Sequence, residues 1–133
     1  MDHSRKIAFP KPASSIMVIR DGQGGLEVLM IERAKTMKFA PGAFVFPGGK
    51  VDKADMQGWR WQGITTGRSA MRDFPYRVAA LRELYEEAGI LLSDKSPKRA
   101  LANAAPFASM VRMAGVKLDI LNMVPFAHWV TPE

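Results

Sequence analysis

Three carboxylates, Glu83, Glu86 and Glu87, stand at i, i+3 and i+4, and Gly89 follows two residues after the last. At about 100° per residue this spacing spreads them over roughly a 100° arc of one helix face. Like charges four apart destabilise a helix. A cation should therefore compensate them, and hard carboxylate oxygens suit a divalent ion such as Mg²⁺ or Mn²⁺. Phe74, Val78, Leu81, Tyr85 and Ala88 recur at spacings of three and four on the opposite side. The helix is expected to bury that side and present its acids on the other. Asp73 suits the N-cap, Pro75 the first turn and Gly89 the C-terminal stop.

Other elements must carry residues to those acids. Residues 16–20 and 26–33 read as the strands of a β-hairpin around the glycine-rich turn 21–25. The second strand is apolar in its middle, which predicts burial on both faces. A loop over 34–42 holds Lys35 and Lys38. Phe44-Val45-Phe46 reads as a short strand stopped by Pro47-Gly48-Gly49, where glycines permit a tight turn and close approach of backbone to a ligand. Asp52 and Asp55 follow. Residues 57–72 have no clear period and read as an inserted loop. Its Trp59 and Trp61 are read as packing residues first and a ligand wall second. Beyond the main helix, residues 96–115 read as a second helix interrupted near Pro106. Residues 118–126 are ambiguous between helix and strand, and 127–130 read as a strand. His128 there reads as structural rather than catalytic; His3 lies in the N-terminal arm.

The run Arg82-Glu83-Leu84-Tyr85-Glu86-Glu87-Ala88-Gly89-Ile90, preceded by Gly48-Gly49, resembles the Nudix box, G-x5-E-x7-R-E-U-x-E-E-x-G-U with U apolar. The second half matches at every defined position. In the first half, Asp55 stands where the pattern has Glu. Arg82 lies 33 positions after Gly49 where the pattern has 14, an excess of 19 residues. The split box, with Phe46-Pro47-Gly48-Gly49 ahead of it, is similar to the Nudix subgroup that includes the peroxisomal coenzyme A diphosphatase of animals and its bacterial relatives. The resemblance implies an α/β fold, an α/β/α sandwich with a mixed sheet. It also implies Mg²⁺- or Mn²⁺-dependent hydrolysis of a diphosphate linked to another moiety. Glu83, Glu86, Glu87 and the Gly48 carbonyl would be metal ligands, with Glu83 also orienting or deprotonating a water. Arg82 would pin the glutamates. Arg33 and Lys50 lie near the expected phosphates. Ala79 and Ala80, placed on the acid side, would leave room for hydrated metal.

The 133 residues suffice for one domain. Cysteine is absent, which excludes disulfides and thiolate zinc sites and fits a cytoplasmic location. No apolar run reaches the roughly 18 residues of a membrane span, and no secretory h-region is present. The net charge of +6 suits an anionic partner, here a phosphorylated small molecule. The basic residues are scattered, not interleaved with aromatics as on a nucleic-acid platform, so nucleic acid is not the expected partner. The organisation expected is a flexible arm over 1–15 and a Nudix domain over 16–133, with an insertion at about 56–72. The C-terminal strands are expected to be incomplete, and the open edge to favour a homodimer. The leading function is hydrolysis of a nucleoside diphosphate-X or coenzyme A-type substrate. A non-catalytic Nudix module that binds a nucleotide or protein, and an RNA decapping-type hydrolase, stay open beside it.

Overall fold

The computed structural model describes residues 9–98, 101 and 105–130. Helix α1 (Phe74–Ala88) is its central element. Val78, Leu81 and Leu84 are fully buried, and Phe74 begins the same face. Asp73 precedes the helix without a side-chain cap; its carboxylate accepts instead from Arg77 Nε at 2.8 Å. Gly89 ends α1 in the left-handed region, φ 69°, and donates its N–H to the Tyr85 carbonyl at 2.8 Å. A side chain there would be strained, which is why glycine stops the helix.

Among the described residues, six short strands form three antiparallel pairs. β1 (Ala13–Ser15) pairs with β6 (Gly48–Lys50), β2 (Ile19–Gly22) with β3 (Gly25–Val28), and β4 (Ile31–Glu32) with β5 (Phe44–Val45). A parallel bridge joins Thr65 to Leu118, and an antiparallel one joins Ser93 to Leu118. The α/β class therefore holds. Helix α1 packs on the β1–β6 ladder and on a 3-10 turn, Lys53–Met56, that follows β6. Ser14 Oγ donates to the Tyr76 carbonyl at 2.8 Å and fixes the ladder to the helix.

Several expectations are corrected. The segment 13–15, assigned to a flexible arm, is strand β1, with backbone partners in β6; residues 1–8 lie outside the described residues. Gly48 and Gly49 form no tight turn. Neither has a positive φ, and both lie in β6. They are needed for lack of a Cβ: one on Gly48 would meet Ser15 Cα at 2.8 Å. The strand expected over 26–33 is split into β3 and β4, and β3 is exposed, Leu26 by 67%. Burial on both faces needs a covering layer on each side, and α1 lies over the β1–β6 ladder instead. Ala79 and Ala80 are buried, so they leave no room beside the acids; their small side chains let α1 sit close to its neighbours.

The second helix is shorter than expected: α2 spans Phe107–Ala114, with Pro106 at its N-cap. Proline lacks the N–H that would extend the helix backward and restricts the residue before it. Residues 99–100 and 102–104 of the expected helix lie outside the described residues. Residues 118–126 form no helix or strand beyond the bridges at Leu118. No strand forms over 127–130; His128, Trp129 and Val130 are exposed, with no ladder partner. Arg77 Nη1 holds the preceding segment to α1 through the carbonyls of Ile120 and Met123, both at 2.7 Å. Among the described residues no helix is long and apolar enough to cross a membrane.

The core gathers α1, α2, Trp61, Ile64, Leu118 and Ile120. Trp61 and Tyr85 flank Phe107, with ring centroids at 6.1 and 5.8 Å. Trp61 is 1% exposed and donates Nε1–H to the Ala54 carbonyl at 3.0 Å. Trp61→Ala is expected to cost about 3–5 kcal/mol as a large-to-small core change. Trp61→Phe keeps a ring in the core and loses the Nε1–H bond; it should cost about 0.5–1.5 kcal/mol for that bond, because the Ala54 carbonyl still accepts the Gln57 N–H at 3.2 Å. Urea denaturation of both variants measures the difference.

Candidate active site

Arg82 is the hub. Its backbone lies on α1, yet its guanidinium reaches across to the 3-10 turn, where Asp55 is fully buried. Arg82 Nε donates to Asp55 Oδ1 at 3.0 Å and Nη2 to Oδ2 at 2.9 Å, a bidentate fork. Nη2 also donates to the Lys50 carbonyl at 3.0 Å, so the strand carrying Gly48 and Gly49 is held by the same group. Nη1 donates to Glu83 Oε1 and Glu86 Oε2, each at 3.1 Å. One side chain thus joins the turn, β6 and two of the three helix acids.

Asp55 is itself oriented. Its Oδ2 accepts the Asp52 N–H at 2.7 Å, within a capping box that opens the 3-10 turn. Asp52 adds an ion pair to Arg82 Nη2 at 3.4 Å, from an exposed position. Burial of Arg82 works against its charge. The hydrogen bonds and charge of Asp55, then the charges of Glu86 and Asp52, outweigh that and raise its pKa above the ordinary arginine value.

The acids face β6. Glu83 is pressed against Gly49 so closely that a Cβ there would lie 2.5 Å from its Oε1. Glu87 has its pKa raised, first by burial, then by its hydrogen bond with Glu83 and that neighbour's charge; a backbone hydrogen bond from Gly48 opposes the shift. Two adjacent carboxylates repel each other when both are ionised, and a cation between them would offset that cost. Among the described residues no group of three acids or histidines converges as a closed cation cage. The donor set is nevertheless all hard oxygen. An open arrangement with few protein ligands is how Mg²⁺ is commonly held, since it keeps several waters. Glu83, Glu86 and Glu87 therefore fit such an ion chemically, and Glu86, half exposed, is freest to swing toward it.

The structure brings together Gly48, Gly49, Asp55, Arg82, Glu83, Glu86 and Glu87, while Gly89 terminates their helix. Arg33 Nε donates to the Phe39 carbonyl at 3.1 Å, and its backbone closes the 34–43 loop. Lys50 contributes its carbonyl to Arg82, and its side chain is exposed. Sequence reasoning missed Asp52 and the Lys50 carbonyl. The spacing Asp52-x-x-Asp55 was a readable signal for the first, as a capping box. A carbonyl contact leaves no trace in residue type.

Asp55→Asn is expected to destabilise the fold by about 3 kcal/mol, because it removes the buried counter-charge of the Arg82 fork and leaves only the more exposed Asp52, Glu83 and Glu86 to compensate it. Asp55→Glu should cost about 1–3 kcal/mol through overpacking of a site with no free volume. Arg82→Lys keeps the charge but loses the fork and should not restore wild-type stability. Denaturant midpoints of the three variants provide the check.

The profile of the NUDIX domain family matches residues 10–109. The chain is 39% identical over 95 residues to "Putative nudix hydrolase 7" of Caenorhabditis elegans, covering 71% of this chain and 25% of that protein. It is 25% identical over 163 aligned positions to the acyl-coenzyme A diphosphatase NUDT19 of Gallus gallus, covering 80% of this chain and 43% of that one. Among solved structures, a NUDIX hydrolase from Alicyclobacillus acidocaldarius is 40% identical, with a TM-score of 0.49, over 60% of this chain and 37% of the other. The chain thus spans less than half the length of each of these relatives.

Proposed function

This chain belongs to the Nudix family, and we propose that it hydrolyses a diphosphate linkage in a nucleoside diphosphate-X or coenzyme A-type substrate, assisted by Mg²⁺ or Mn²⁺. The observation that carries this reading is the arginine hub: one buried guanidinium holds Glu83 and Glu86 beside the strand of Gly48 and Gly49. The similarity to an acyl-coenzyme A diphosphatase supports the coenzyme A arm of the proposal. Glu83, Glu86 and Glu87 would hold the ion, with the Gly48 carbonyl as a further oxygen. When bound, the ion neutralises phosphate charge and lowers the pKa of a coordinated water.

The chain's own residues supply the rest. Glu83 is held by Arg82 Nη1 and lies against Gly49, and it would take the proton of an attacking water. Water oxygen bonds to one phosphorus, the bridging P–O bond breaks, and its electron pair leaves with the other phosphate. Arg82, spent on five oxygens from three carboxylates and a carbonyl, positions these groups and does not itself bind substrate.

Glu86→Gln and Glu83→Gln are expected to lower Mg²⁺- or Mn²⁺-dependent turnover at least about 100-fold, the lower end of general acid–base contributions. A panel of nucleoside diphosphate and coenzyme A diphosphates, assayed by phosphate-ester release, measures it. Absent turnover across the panel would favour a non-catalytic binding module, and metal-independent turnover would overturn the assigned role of the ion. Gly49→Ala should reduce turnover too, by displacing the Glu83 carboxylate. The raised Glu87 pKa gives a sign for pH: more of the metal-free protein holds that proton as pH falls. Mg²⁺ affinity should therefore rise with pH, through a range shifted upward from that of an ordinary glutamate. Calorimetry in buffers of different ionisation enthalpy should show proton release that Glu87→Gln removes.

A further inference from the structure

The insertion is rich in features that the acid cluster does not use. Residues 57–72 contain Arg60, Arg68 and Arg72 and no acid. They fold as a second 3-10 turn, Gly58–Trp61, followed by a loop that closes on itself. Thr65 Oγ1 donates to the Gly67 carbonyl at 2.9 Å. A Cβ on Gly58 would meet Ser69 at 2.7 Å, and one on Gly67 would meet Ile120 at 2.6 Å, so the loop is tightly wound. It surrounds a cavity of about 520 Å³, within the size range of small-molecule sites.

The lining divides by chemistry. Trp61 and Phe74, both 1% exposed, supply buried aromatic carbon beneath it. Trp59, at 68% exposure, and Arg68 stand at its accessible side. Arg60 lies over the Trp59 ring, 4.6 Å from its centroid, and its Nε is hydrogen-bonded to Gln57 Oε1. Its carbonyl accepts from Arg112 Nη2 of α2 at 3.0 Å, which anchors this turn to the body of the protein. Among the described residues lining the cavity there is no carboxylate. An exposed tryptophan and an exposed arginine lining one cavity offer a stacking face and a positive charge, which suits a flat ring that bears an anion.

We propose that the insertion carries a second ligand site, separate from the acid cluster, which takes a mononucleotide: the base against Trp59 and the phosphate toward Arg68. The site does not depend on the hydrolytic reading. It is connected to the hub through the Trp61 Nε1–Ala54 carbonyl bond, one residue from Asp55.

Adenosine 5′-monophosphate, titrated without divalent metal, should quench tryptophan fluorescence and give a saturable calorimetric isotherm. Adenosine alone and inorganic phosphate alone should each bind at least about tenfold more weakly. Trp59→Ala and Arg68→Gln, both at exposed side chains, should each weaken binding about tenfold, the scale of one lost stacking or charge contact. Glu86→Gln should leave it unchanged. The proposal is overturned if no binding is seen to millimolar nucleotide, or if phosphate alone binds as well. It is equally overturned if Glu86→Gln weakens binding while Trp59→Ala and Arg68→Gln do not, which would place the nucleotide at the acid cluster. Loss of diphosphatase activity in Glu86→Gln with nucleotide binding retained separates the two sites.

Discussion

The bidentate pair of Arg82 and Asp55 is the constraint on which the rest depends. Both partners are removed from water, so each is costly without the other. The guanidinium satisfies that demand and has donors to spare, and those go to the Lys50 carbonyl, Glu83 and Glu86. A buried ion pair contributes little net stability by itself. Here it fixes the relative placement of three chain segments that are far apart in sequence: β6, the first 3-10 turn and α1. The acids inherit their positions from it.

The two glycines before the turn show how narrow that placement is. Their φ angles need no left-handed freedom. What they provide is missing volume: Gly48 lets β1 lie against β6, and Gly49 lets the Glu83 carboxylate press on the strand. A strand is a stiffer platform than a tight turn, because its backbone groups are bound on one side by β1. The crowding of Glu83 and Glu87 is sustained by the same geometry, and it raises the Glu87 pKa. Charge repulsion that would weaken an isolated helix is retained where a cation can relieve it.

The insertion is part of the fold as well as an elaboration of it. Trp61 plugs the core and grips the carbonyl of Ala54, beside the residue that anchors Arg82. Trp59, two positions earlier, does neither and remains on the surface. A 3-10 turn has about three residues per turn, so residues two apart point to different sides. Elsewhere the sheet is divided into three two-stranded ladders, and β3 exposes apolar side chains that α1 does not cover.

The α/β class was what the resemblance of the motif implied; the residue pattern alone determined the main helix, its first-turn proline Pro75, its glycine stop at Gly89 and the acid face. These depend on local rules, the 3.6-residue period and the conformational limits of proline and glycine, which act over a few neighbours. It also carried the hairpin of β2 and β3, through the glycine-rich turn. It did not carry the partnership of β1 with β6, the exposure of β3, the absence of a strand over 127–130, or the burial of Ala79 and Ala80. Each of those depends on which surface arrives from elsewhere in the chain. Asp55 was visible only as a departure from a pattern. Tertiary structure decided that its shorter side chain, carried in by the 3-10 turn, grips Arg82 with both oxygens, because the distance between turn and helix is a property of packing and not of either segment.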